Sequence, residues 1–126
     1  MARVLVIDDD VAIRVTIQTV LELHGFEVVL AEGGSAGLRA LRAETYDLVI
    51  VDVFMPNMDG FETIKLMREL NPTMPIIVVS GFGRARSSAP DFLSMATKLG
   101  ADFSLAKPFT GSELMNCVRA CVGEAI

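Results

Sequence analysis

An α/β domain built on a parallel sheet is what this chain predicts, and three observations carry that prediction. Short apolar runs and helical stripes follow one another in strict turn. The runs are continuous rather than alternating, as in strands covered on both faces. No repeat, linker or low-complexity tract divides them. Alternation of this kind implies parallel strands joined by right-handed crossovers, with helices on both faces of a doubly wound sheet. At 126 residues and 52% apolar composition the chain has the size and the apolar content for one core, so residues 1–126 are expected to form one domain.

Residues 4–7, VLVI, form the first strand and run into Asp8, Asp9 and Asp10. From 11 to about 24 the pattern turns helical, with Ile13, Ile17, Val20 and Leu21 on one stripe and Gly25 as its stop. His24, the only histidine, sits where a helix dipole favours positive charge, and is expected at the surface or in the cap rather than in catalysis. Residues 26–30 form the second strand, Gly33, Gly34 and Ser35 a turn, and residues 36–44 a helix anchored by Leu38 and Leu41. The segment GGSAG lacks the lysine and the spacing of a phosphate-cradling loop, so the pair Gly33-Gly34 is read as a turn former.

The third run, residues 48–51, ends in Asp52 and breaks at once into Met55, Pro56, Asn57 and Asp59-Gly60. Phe61, Ile64, Met67 and Leu70 then recur at helical spacing until Asn71-Pro72. Residues 75–79 form the fourth strand and deliver Ser80 and Gly81. The following stretch, GFGRARSSAP, reads as an exposed loop, and Ser88 with Asp91 resembles a capping box opening a helix that Gly100 stops. Residues 102–106 read as an edge strand leading to Lys107, Pro108 and Phe109. Thr110 and Glu113 make a second capping box for the last helix, whose face includes Leu114, Val118, Cys121 and Val122. Cys117 and Cys121 stand four apart with no neighbouring metal ligand, so they are expected as helix residues in or beside the core.

A net charge of −5 argues against nonspecific binding to nucleic acid or to an anionic membrane. The start, MARVLVIDDD, has too few apolar residues for a signal peptide or a span, and the cytoplasm is the expected location.

In a doubly wound parallel sheet, every loop that follows a strand opens at the same edge, where ligands bind. Those loops carry Asp8, Asp9, Asp10, Asp52, Ser80 and Lys107. Carboxylates gathered there repel one another unless a hard divalent cation with oxygen ligands sits among them, and Mg2+ suits a site that also meets a phosphoryl oxygen. A lysine and a hydroxyl at the same edge suit the remaining oxygens of a phosphoryl group in transfer. Asp52 is then the nucleophile, forming an acyl phosphate, with metal held by Asp9 and Asp10 and charge balanced by Lys107. The plain alternative is that each acid is a solvated loop residue. Acids, a hydroxyl and a lysine delivered by four separate strand ends speak against it.

Taken together, Asp8-Asp9-Asp10 after the first strand, Asp52 within VDVFMPNMDG, Ser80-Gly81 after the fourth and Lys107-Pro108-Phe109 after the fifth resemble the receiver domain of bacterial two-component response regulators. The resemblance covers essentially the whole chain. It implies a flavodoxin-like (βα)5 domain with a five-stranded sheet in the order 2-1-3-4-5. It implies that Asp52 accepts a phosphoryl group from a sensor histidine kinase or a histidine phosphotransfer protein. Asp9 and Asp10 would position Mg2+, with the main-chain carbonyl of Phe54 as a further ligand and Asp52 itself touching the ion. Ser80 would be the switch hydroxyl, Lys107 the phosphate-pairing lysine, the Lys107–Pro108 bond cis, and Asp8 an aid to the strand terminus. Slow self-phosphorylation and autodephosphorylation are implied rather than enzymatic turnover. A downstream protein or fused output domain would read the state, with no effector domain in residues 1–126 and no direct contact with nucleic acid or membrane.

Two features depart from the family pattern. Ser104 stands where a relay aromatic is usual, and Phe103, one residue earlier, falls on the other face of a strand. The interval from Ser80 to Lys107 is also long, the surplus falling in residues 81–90, so the switch is expected to act through the 81–99 region. Two other function classes compete. An aspartyl-phosphate hydrolase or phosphotransferase would want a second acid close after its nucleophile and a cap over its substrate, whereas Val53 and Phe54 follow Asp52. A phosphorylation-independent interaction domain on the same fold would have no need of all five polar groups.

Overall fold

Each apolar run becomes a strand of one sheet in the computed structural model, which describes residues 2–52, 60–80 and 100–123. In chain order these are β1 (Arg3–Ile7), α1 (Val11–Leu23), β2 (Glu27–Ala31), α2 (Gly34–Ala43), β3 (Leu48–Asp52), α3 (Gly60–Leu70), β4 (Ile76–Ser80), β5 (Phe103–Ala106) and α4 (Gly111–Val122). All pairings are parallel and the sheet order is β2-β1-β3-β4-β5, as the alternating pattern and the resemblance require. The expected 81–90 loop, the Ser88–Asp91 capping box and the helix ending near Leu99 lie outside the described residues.

The strand period of two divides the apolar residues between two layers. Leu5, Ile7, Val49, Val51, Ile76 and Val78 pack toward Leu38 of α2 and Ile64 and Met67 of α3. Val4, Val6, Leu48, Ile50, Ile77 and Val79 pack toward Ile17 and Leu21 of α1 and Leu114 and Val118 of α4. Burying one such side chain contributes roughly 1.5–3 kcal/mol, against 0–1 for an exposed ion pair, so these two layers hold the fold. Cys117 and Cys121 border the second layer as half-buried free thiols. Burial, with Asp102 and Cys117 adding to it, pushes the Cys121 thiol up to about 12, so it stays protonated and inert near neutrality.

The helix ends follow local chemistry. Thr110 Oγ1 accepts the Glu113 N–H at 3.0 Å and Glu113 Oε1 accepts the Thr110 N–H at 2.8 Å, the reciprocal capping box the sequence announces. His24 caps α1, its Nδ1 2.9 Å from the Val20 carbonyl, and Gly25 follows at φ +88°. The start of α2 shortens the expected turn. Gly33 is the N-cap and Gly34 already the first helical residue. Gly37 lies inside the helix, buried, because α2 passes directly over Ile7: a Cβ there would stand 2.4 Å from Ile7 Cδ1.

Gly37→Ala should therefore destabilise the domain by about 1–3 kcal/mol through overpacking, although alanine is the better helix former by nearly 1 kcal/mol. Urea unfolding checks this, and adding Ile7→Val, which removes the colliding Cδ1, should recover part of the loss.

Candidate functional site

Register decides which polar residues meet. Ile7 pairs with Val51 across β1 and β3, so Asp8 and Asp52 end neighbouring strands side by side. Ser80 pairs with Ala106 across β4 and β5, which brings Lys107 out one residue beyond. Asp8, Asp52 and Lys107 share the parity of Val6, Ile50 and Leu105, so all three extend the layer that faces α1 and α4.

The result is a partly enclosed ion cluster. Lys107 Nζ lies 3.2 Å from Asp8 Oδ2 and 3.3 Å from Asp52 Oδ2. Asp8 and Asp52 are 1% and 3% exposed, values that lone carboxylates would not tolerate. Burial lowers the tendency of Lys107 to hold its proton, but the charges of Asp52 and Asp8 and their hydrogen bonds outweigh it, and its pKa is raised above the ordinary 10.5.

The three consecutive acids have three different positions. Asp8 is buried, with Oδ1 accepting the Asp10 N–H at 2.9 Å and its carbonyl accepting Arg14 Nη1 at 2.7 Å. Asp9 is exposed, yet offers a carboxylate oxygen to the same cluster. Asp10 is the N-cap of α1, its Oδ1 accepting the N–H groups of Ala12 at 2.8 Å and Ile13 at 3.4 Å. The expected Asp9–Asp10 metal pair is thus corrected. Among the described residues the group that can hold an ion is Asp8, Asp9 and Asp52, with oxygens all within 4.8 Å of one another, and Asp8 is more than an aid to the strand end. Strand parity held the signal for Asp8: it continues Val4 and Val6 as Asp52 continues Leu48 and Ile50.

This donor set suits a hard divalent cation. It consists of oxygens only, and two oxygens on one Mg2+ stand about 3–4 Å apart at octahedral bond lengths near 2.1 Å. Three carboxylates against one lysine leave two negative charges in excess, the amount a divalent ion neutralises. Ser80 is the last residue of β4. Its hydroxyl and the Phe54 carbonyl lie outside the described side chains and residues. The Lys107–Pro108 bond is cis, as the resemblance implies. Phe103 is 40% exposed and Ser104 is also exposed, so neither the aromatic nor its neighbour is buried on β5.

Two expectations separate these roles. Asp10→Ala should cost about 1 kcal/mol of stability as a lost cap while leaving Mg2+ affinity nearly unchanged. Asp9→Ala should weaken Mg2+ binding and leave the apo melting temperature equal or higher; calorimetric titration and thermal melts check both. For Lys107, the folded pKa lies above the unfolded one. Its stabilisation is then fully present below about pH 10.5 and is lost as pH rises through the raised folded value. Urea unfolding between pH 9 and 12 should show a smaller alkaline loss in Lys107→Met than in the parent chain.

Comparison with known proteins agrees with this geometry. Residues 4–119 match the family model described as the response regulator receiver domain. The chain is 37% identical over 120 residues to a transcriptional regulatory protein CpxR homolog of Haemophilus influenzae, covering 95% of this chain and 50% of that protein. It spans about half the length of the curated relatives it matches. Among solved structures, a response regulator receiver domain protein from Clostridium thermocellum superposes with a TM-score of 0.87 at 31% identity, covering 98% of this chain and 95% of that one. The chemotaxis protein CheY4 of Vibrio cholerae gives 0.86 at 30% identity, covering 96% and 98%. With sequence, topology and the Asp8–Asp9–Asp52 cluster against Lys107 in agreement, the chain belongs to the response regulator receiver domain family and carries that family's phosphoacceptor and Mg2+-binding site.

Proposed function

We propose that Asp52 is the residue phosphorylated, and that the donor is a phosphohistidine on a sensor histidine kinase or a histidine phosphotransfer protein. The observation that carries this is the position of Asp52: buried at the end of the central strand, 3.3 Å from a lysine and within a three-carboxylate cluster. An Asp52 oxygen attacks phosphorus in line; the P–O bond forms as the P–N bond breaks, and the imidazole nitrogen keeps the electron pair. Lys107, released from Asp52 as that carboxylate becomes an acyl phosphate, pairs with a phosphoryl oxygen. Asp8 keeps the lysine charged and in place. Asp8, Asp9 and Asp52 would hold Mg2+, which would supply charge neutralisation for the phosphoryl oxygens. Ser80, ending β4 beside β3, is assigned the switch hydroxyl, and the Phe54 carbonyl a further metal ligand.

The reaction modifies the chain itself, which makes this a signalling module rather than a turnover enzyme. Val11 and Val15 are 61% and 50% exposed, one turn apart on α1 near the site, and suit the apolar face of a donor helix. Phosphorylation adds about −1.5 to −2 charges at the sheet edge, and residues 81–99 are proposed to move in response and change partner binding. Residues 1–126 are proposed to act as one receiver unit, a proposal the match over 4–119 supports, with a downstream protein or fused output domain as reader. Among the described residues no helix is long and apolar enough to cross a membrane. The cytoplasm, where phosphohistidine donors present their phosphoryl groups, is the proposed site of action.

Incubation with acetyl phosphate and Mg2+ should add the mass of one phosphoryl group, require the metal and fail in Asp52→Asn. Full labelling of that variant would overturn the assignment. Amide exchange in residues 81–99 should change in the loaded protein, and an unchanged pattern there would overturn the proposed switch.

A further inference from the structure

β5 delivers Lys107 to the site, yet among the described residues it is the strand with least to hold it. It has four residues, of which only Leu105 is buried, and among the described residues it pairs with β4 alone. A slip of one residue would turn Lys107 to the opposite face, and a slip of two would carry it about 7 Å along the sheet. The contacts of Lys107 at 3.2 and 3.3 Å survive neither displacement.

Far from the site, at the opposite edge of the sheet, the Arg68 guanidinium closes on the start of this strand. Its Nε and Nη2 both donate to the Gly100 carbonyl, at 3.1 and 2.5 Å, and Nη2 pairs with Asp102 Oδ2 at 3.1 Å. Nη1 donates to the Met74 carbonyl at 2.6 Å, just before β4. Asp102 completes a two-bond clasp on β4: its Oδ2 accepts the Ile76 N–H at 2.8 Å and its own N–H donates to the Ile76 carbonyl at 2.8 Å. The backbone is shaped around the cation. Gly100 has φ +116°, and a Cβ there would stand 2.7 Å from Arg68 Nε. One rigid planar fork therefore joins the entrances of β4 and β5, which lysine with its single nitrogen could not do.

We propose that Arg68 is a positioning residue for phosphoryl transfer: by locking the register of β5 at its entrance, it sets the reach of Lys107 at the exit. Its chemical consequence rests on Asp52 as acceptor, whereas the register lock does not.

Amide exchange tests the lock without phosphorylation. In Arg68→Ala, amides of residues 102–106 should exchange about tenfold faster relative to those of β1 and β3. Equal acceleration everywhere, or none, overturns the lock. A double-mutant cycle tests the consequence. Acetyl phosphate labelling of Asp52 should slow about fivefold in Arg68→Ala, and adding Arg68→Ala to Lys107→Ala should slow it no further. Equal slowing in both backgrounds, or none in the first, overturns action through Lys107. Should Arg68→Ala fail to fold, Asp102→Asn, which removes the charge pair but keeps an acceptor for Ile76, should show the same pattern in weaker form. Labelling that persists in Asp52→Asn would overturn the acceptor instead, and the exchange result would still decide the lock.

Discussion

Two buried carboxylates side by side, Asp8 and Asp52, are the constraint on which the rest of the molecule depends. Removing either from water costs several kcal/mol, and placing them together adds repulsion. Lys107 offsets part of this, and the remaining excess of negative charge is what makes the site receptive to a divalent ion. The sheet order places the pair at the centre: β1 and β3 are adjacent, and the chain winds outward from them in both directions. That reversal opens a crevice at the carboxyl ends of the strands, the usual ligand position in such sheets.

The two edges of the sheet have opposite characters. At the exit edge, like charges are gathered and the ion balance is incomplete. At the entrance edge, pairings are closed. Arg3 bonds Glu27 and Glu44 and exchanges backbone and carboxylate bonds with Asp47, and Arg68 gathers carbonyls before β4 and β5. Exposed ion pairs contribute little to stability by themselves, so the value of these arginines lies in geometry. Strands anchored at one edge can hold unfavourable charge at the other.

The acidic run shows how finely that edge is specified. Asp8 follows the strand into the protein, Asp9 turns outward to the ion site, and Asp10 leaves the strand to cap α1. Arg14, one turn into α1, returns to the Asp8 carbonyl and ties helix to strand. A shift of one residue in this loop would exchange a buried charge for a cap, with loss of both.

Periodicity and punctuation in the sequence were enough to determine the five strands, the described helices, the parallel topology and the strand-end location of Asp52 and Lys107, because a continuous apolar run ending in a charge has one economical place in an α/β fold. Thr110 and Glu113 announced their capping box because both bonds are local. Strand parity marks Asp8 as the acid that continues Val4 and Val6, but that it meets Asp9 and Asp52, in place of the expected Asp9–Asp10 pair, depends on Ile7 pairing with Val51. Gly37 falls in a stretch that already reads as helix, but the reason for a glycine there is Ile7, thirty positions away in the chain and in contact only after α2 docks. Arg68 gave no sign at all, being an ordinary helix residue until β4 and β5 bring Met74, Gly100 and Asp102 around it. Local pattern determined the elements and the residue types at their ends; long-range pairing alone decided which atoms meet.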